Sequence, residues 1–145
     1  MLTGMARSNV HDGEKDLGDD FILKGVEKRS DVGFLTYFEY FGYFNVGEFL
    51  KTPRVPIWIV CSESHYSCIF SVDSNNINKT GKPFDLVYYD ELARQEHDII
   101  LTVTPGKYQS DGGPENNKNP VPMEEVIRTK WNTGHVCWNG RTRIL

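Results

Sequence analysis

Residues 55–70 read VPIWIVCSESHYSCIF, and the fold turns on how this stretch divides. Two apolar runs, Val55 to Val60 and Tyr66 to Phe70, flank the polar cluster Ser62, Glu63, Ser64 and His65, which has turn chemistry. Arg54 to Cys61 reads as a strand of nearly continuous apolar character, and therefore a central one. Pro56 has no N–H for a ladder, so the first residues of that strand should lie at an edge or a bulge. His65 to Ser71 reads as the next strand. A histidine at the lip of a buried strand can be held rigidly while one ring nitrogen stays free, as a general base or a cysteine-activating histidine requires. On local sequence alone the plainer reading, a turn histidine that only hydrogen-bonds a carbonyl, is the favoured one.

Downstream, Val72 to Pro83 is a polar loop, and FDLVYYD (residues 84–90) is a third strand. Glu91 to His97 reads as a helical turn and Asp98 to Thr104 as a fourth strand. Gln109 to Pro120 is dense in turn formers, so residues 105–121 are expected to form a mobile surface loop. Pro122 suits the first turn of a short helix with Met123, Val126 and Ile127 on one face. His135 to Trp138 reads as a last short strand. Upstream, Phe21 to Val26 suggests a strand, and residues 1–20 a flexible lead-in. Asp31 reads as an N-cap, Phe34, Leu35, Phe38 and Phe41 recur at helical spacing, and Gly42 is a plausible stop. Asn45 reads as the cap of a second short helix through Leu50. The expected class is α+β, an antiparallel sheet with a few short helices, in one domain.

The chain has 145 residues, 39% hydrophobic and 25% charged, with a net charge of -4. A chain of this size buries roughly two thirds of its unfolded surface, enough for a real core. There is no dense basic run, so nucleic acid is not an expected partner. The three cysteines, Cys61, Cys68 and Cys137, suggest no disulfide frame and fit a reducing interior. The N-terminus has no apolar segment of the signal-peptide kind, and no run approaches the roughly 18 apolar residues of a membrane helix. The expected location is cytoplasmic or nuclear, with no membrane partner.

If the second and third strands pair as an antiparallel hairpin with matched ends, His65 falls opposite Asp90. Opposed residues point to the same face with Cβ atoms about 5 Å apart. The carboxylate would then accept the ring N–H and orient the imidazole. Alternatively, Asp90 caps the turn Asp90-Glu91-Leu92-Ala93. Cys61 and Cys68 read as small core residues, and parity puts Cys68 on the sheet face opposite His65. Cys137 lacks the helix N-terminus that depresses a thiol pKa. Spacing among Cys61, His65 and Cys68 is wrong for zinc, and no cofactor motif is present.

VGFLTYFEYFGYFNVGEFLKTPRVPIWIVCSESHYSCIFS resembles the C-terminal half of the catalytic domain of the MINDY deubiquitinases. The nearest branch holds the third and fourth members, on the side of the fourth. The similarity runs from LTGMARSNV through FDLVYYDELARQ to IRTKWN and WNG, nearly the whole chain. It implies a papain-like cysteine peptidase architecture and thiolate attack on isopeptide bonds of ubiquitin chains, typically lysine-48-linked. It places His65, in SESHYS, at the catalytic histidine and Asp90, in YYDELA, at the adjoining carboxylate, with Glu91 where the branch has Gly. Family members carry the nucleophilic cysteine in a GGPCG-like motif at a helix start, and residues 1–145 contain none. The resemblance therefore implies the second half of a catalytic domain, inactive alone, with ubiquitin chains and the missing N-terminal half as partners. A non-catalytic ubiquitin- or partner-binding module, using Tyr66, Trp131 or Trp138, is the alternative.

Overall fold

The computed structural model describes residues 6–73, 75, 77, 81–110 and 112–143. The 55–70 stretch forms the expected hairpin: β4 (Ile57–Ser62) pairs antiparallel with β5 (His65–Phe70), Ser62 opposite His65. Glu63 takes the left-handed conformation (φ 55°) that this two-residue turn demands. A non-glycine residue there costs on the order of 1 kcal/mol, offset by the ladder it closes. Pro56 sits just before β4, where its carbonyl accepts from Ser71 N–H at 2.9 Å.

The sheet grows as a meander. β6 (Phe84–Tyr89) pairs with β5, β7 (Ile99–Thr104) with β6, and β8 (His135–Cys137) with β7, all antiparallel. Alternation fixes the buried face: Phe84, Leu86 and Tyr88 of β6 lie beside Leu101 and Val103 of β7. Helix α3 (Pro122–Arg128) covers that face through Met123, Val126 and Ile127, all fully buried. Burying each such side chain is worth about 1.5–3 kcal/mol, which a seven-residue helix needs, being unstable alone.

Four expectations fail upstream. Gly33–Thr36 is a strand (β3) lying parallel to β4, so the sheet is mixed rather than purely antiparallel. The helix (α1) is only Tyr37–Tyr40, capped by Thr36 rather than Asp31. The spacing of Phe34, Leu35, Phe38 and Phe41 satisfies a helical period, but pairing with the buried β4 overrides it. Gly33 makes this approach possible, since a methyl group there would overlap the Trp58 indole and the Leu50 carbonyl oxygen. Gly42 (φ 75°) stops α1 as expected, donating to Glu39 O at 2.9 Å. The second short helix, α2 (Glu48–Lys51), is capped by Gly47, not Asn45. In the stretch read as a lead-in, β1 (Glu14–Asp16) pairs with β2 (Ile22–Lys24), so its described part is not without structure.

The β5–β6 register differs from the matched-end expectation. Cys68 faces Tyr89, and Phe70 faces Val87 rather than Asp85. The shift is two residues, so every side chain keeps its face.

A histidine–aspartate pair at the lip of a cleft

His65 opens β5 and Asp90 follows the last residue of β6. His65 Nε2 and Asp90 Oδ2 are 2.8 Å apart. A carboxylate only accepts, so Nε2 carries the proton and Nδ1 is left as the basic nitrogen. The histidine side chain is 29% exposed and the aspartate 10%. Neither the predicted register nor direct opposition creates the contact; shared parity and the strand-end turn do.

Both readings of Asp90 hold, one oxygen to each. Oδ1 accepts from Leu92 N–H at 3.0 Å and caps the 3₁₀ turn Glu91–Ala93. Oδ2 takes His65 and also the Tyr88 hydroxyl at 3.2 Å. The backbone N–H of Asp90 donates to Gln95 Oε1 (2.8 Å), and Gln95 Nε2 donates to Tyr88 O (3.2 Å). Burial, and then the Asp90 charge, push the Tyr88 phenol up to about 12, while the Ser67 hydroxyl pulls the other way. It is therefore a permanent donor at neutral pH.

A cleft of about 550 Å³ opens beside this pair, lined by His65, Asp90, Ala93, Pro120, Val121, Pro122 and Arg143. The Pro-Val-Pro wall leads directly into α3, which fixes it against the core. Arg143 Nε lies 3.3 Å from Glu124 Oε1, which tethers it at the cleft. Sequence reasoning did not single out Tyr88, Gln95 or Arg143. Tyr88 is findable from its two-residue spacing to Asp90, which puts both on one face; Gln95 and Arg143 carry no such signal.

The cysteines stand apart from His65. Parity sets Cys61 and Cys68 on the other face of the sheet. Burial, and then the Asp90 charge, push the Cys68 thiol up. Cys61 is buried and donates to Glu63 O at 3.4 Å, and Cys137 is exposed on β8. Among the described residues no group of three or more His, Cys, Asp or Glu could hold a metal ion. No helix among them is long and apolar enough to cross a membrane. Of the aromatics considered for a binding patch, only Tyr66 is well exposed, at 63%. Trp138 is buried and donates to Glu124 Oε1 (2.9 Å), and Trp131 packs between Trp58 and Phe84, with ring centroids 5.3 and 5.1 Å away.

The family described as "Deubiquitinating enzyme MINDY-3/4, conserved domain" matches residues 1–140. The chain belongs to the MINDY-3/4 deubiquitinase family. It is 47% identical over 151 residues to the probable ubiquitin carboxyl-terminal hydrolase MINDY-4 of Homo sapiens, covering all of this chain and 20% of that protein. The MINDY-4 of Xenopus tropicalis is 44% identical over 152 residues, with the same coverage. The ubiquitin carboxyl-terminal hydrolase MINDY-3 homolog of Drosophila melanogaster is 44% identical over 71 residues, covering 49% of this chain and 12% of that protein. The chain thus spans about a fifth of the length of the MINDY-4 relatives it matches. No solved structure matches it. Within this MINDY-3/4 domain the class is α+β, as expected from the sequence.

Proposed function

We propose that this chain supplies the histidine–carboxylate half of a cysteine-type deubiquitinase site, in the C-terminal portion of a papain-like catalytic domain. The single observation that carries the reading is the 2.8 Å contact of His65 Nε2 with Asp90 Oδ2 at the wall of an open cleft. His65 Nδ1 takes the proton of a thiol, and Asp90 stabilises the imidazolium that results. The thiolate attacks the isopeptide carbonyl, and the imidazolium then protonates the departing lysine amine. Water, deprotonated by the same nitrogen, hydrolyses the thioester. The thiol comes from outside these 145 residues, because Cys61 and Cys68 lie across the sheet from His65 and Cys137, opposite Thr102, shares their face.

The substrate in this reading is ubiquitin in lysine-48-linked chains, and the partner is the segment that carries the nucleophile. The location is the cytoplasm or nucleus, where a free thiol persists. A second reading, a surface that binds ubiquitin without cleaving it, is favoured by Tyr66, Tyr89 and Ile100. These three are exposed on the sheet face opposite α3.

The test is labelling by a ubiquitin probe with a thiol-reactive C-terminus. It is applied to this chain and to any longer product of the same locus. Labelling of the longer product alone, abolished by His65→Ala, is the expected result. Binding of ubiquitin by both without labelling of either would overturn the catalytic reading and leave the binding one. Chain cleavage by the 145 residues alone would overturn the external thiol.

A further inference from the structure

A second cavity, about 350 Å³, is lined by Arg29, Arg54, Lys130, Trp58, Ile77 and the Thr52-Pro53 and Pro56 backbone region. Among the described residues three of the lining side chains are cations and none is an acid. Arg29 is pinned by carbonyls: Nε donates to Thr52 O and Nη2 to Pro53 O at 2.8 Å, which orients the guanidinium. Lys130 Nζ sits over the Trp131 and Trp58 rings, 5.0 and 5.6 Å from their centroids. Among the described residues no carboxylate lies within ion-pair distance of Arg29 or Lys130, and Arg54 has only the exposed Asp31 at 3.3 Å. Burial lowers the Lys130 ammonium to about 8, with Glu48 pulling the other way and Lys51 and Arg29 adding smaller repulsions.

Three cations around a cavity with no acid in its described lining are what an anion complements, and guanidinium with ammonium suits a doubly charged oxoanion. The remaining wall is Trp58, Pro53, Pro56 and Ile77, which an apolar substituent would cover. We propose that this cavity binds an oxoanion carried on a small apolar group, of the phosphomonoester class. It is independent of the histidine site and of the function proposed for it.

The experiment titrates the full chain with phenyl phosphate and with inorganic phosphate at constant ionic strength, following the Lys130 ε-carbon resonance in ¹³C-lysine protein. Saturable binding is expected, tighter for phenyl phosphate. The titration midpoint of Lys130 should move upward, because a bound anion favours the ammonium. Lys130→Met should weaken binding tenfold or more, and Lys130→Arg should restore most of it. The exposed Arg54→Gln, which does not endanger the fold, should weaken it several-fold. A short phosphotyrosine peptide run in parallel names the carrier, and tighter binding of either it or phenyl phosphate supports the site. An unmoved Lys130 resonance, or equal affinity in Arg54→Gln, Lys130→Met and the parent chain, would overturn it. Phenyl phosphate binding no tighter than inorganic phosphate would overturn the apolar wall.

Discussion

Two ionic constellations among the described residues, one on α3 and one at the end of β5–β6, are built to opposite specifications. On α3, Arg128 donates to Glu124 Oε2 at 2.9 Å and Glu125 Oε1 at 2.8 Å, and its Nε reaches Gly134 O at 3.2 Å. Trp138 and Asn117 donate to the same two carboxylates, and the Arg128 side chain is only 9% exposed. Burial pushes the Glu125 carboxyl up, and Arg128 pulls it back. At the end of β5–β6, by contrast, Asp90 is as fully bonded as any of these, but its histidine lines the open cleft with its side chain 29% exposed. The α3 cluster is closed and ties the helix to β8. The strand-end cluster is tight on the carboxylate side and open on the imidazole side. That asymmetry distinguishes a site from a scaffold better than burial or charge does.

The comparison can be broken at several points. The largest effect is expected from His65→Ala in a catalytically competent longer form. Isopeptide cleavage should fall by roughly 10³-fold or more, about 4 kcal/mol of transition-state stabilisation. Urea unfolding of the 145-residue chain should barely change, because Asp90 keeps Tyr88 and Leu92 as donors. Retained turnover would end the distinction. Arg128→Met reverses the pattern. It strands Glu124 and Glu125 in the interior and should cost about 3–5 kcal/mol of unfolding free energy. A loss below about 1 kcal/mol in a urea melt would show the α3 cluster to be ornamental.

Asp90 separates the two roles within one residue. Asp90→Asn keeps a cap for Leu92 but no longer stabilises imidazolium. Stability should stay within about 1 kcal/mol while turnover drops roughly 10²-fold or more. Asp90→Ala should lose both, and equal melting of the two variants would remove the capping role. The smallest effect belongs to Tyr88→Phe, about 1–2 kcal/mol, because the hydroxyl donates to Asp90 and is also hydrogen-bonded to Ser67. Its pH dependence has a definite sign. The folded pKa of about 12 lies above the ordinary 10.0, so the phenol's contribution is complete below 10 and is lost as pH rises toward 12. Melting curves across that window should fall less steeply in the variant than in the parent.

Much of this arrangement was legible in the sequence, for identifiable reasons. The 55–70 hairpin, β6, β7, α3 and β8 announce themselves by local patterning. His65 and Asp90 were paired by parity, which survived a register error because the error was an even number of residues. β3 was not legible. Its four residues are too few to establish a period of two, and the aromatics that follow it impose a helical one. Gln95 and Arg143 were invisible because they act across a turn and from the chain's far end, where nothing in the intervening residues encodes the contact.

The parallel pairing of β3 with β4 has a consequence for the order of assembly. Every neighbour in the six-stranded sheet is the next strand along the chain, but the pairs from β4 to β8 are all antiparallel, so that part of the meander grows by closing hairpins and longer loops. β3 meets β4 only after α1 and α2 are threaded between them, with Gly33 registering against Trp58. Closing that loop in parallel cannot be done by a turn, and the entropy cost comes before the contacts that offset it. Docking of β3 should therefore be late. Substitutions at Leu35 should accelerate unfolding and leave the folding rate nearly unchanged, whereas those at Ile69 should slow folding. On this order the His65–Asp90 corner is in place before the edge of the sheet is sealed.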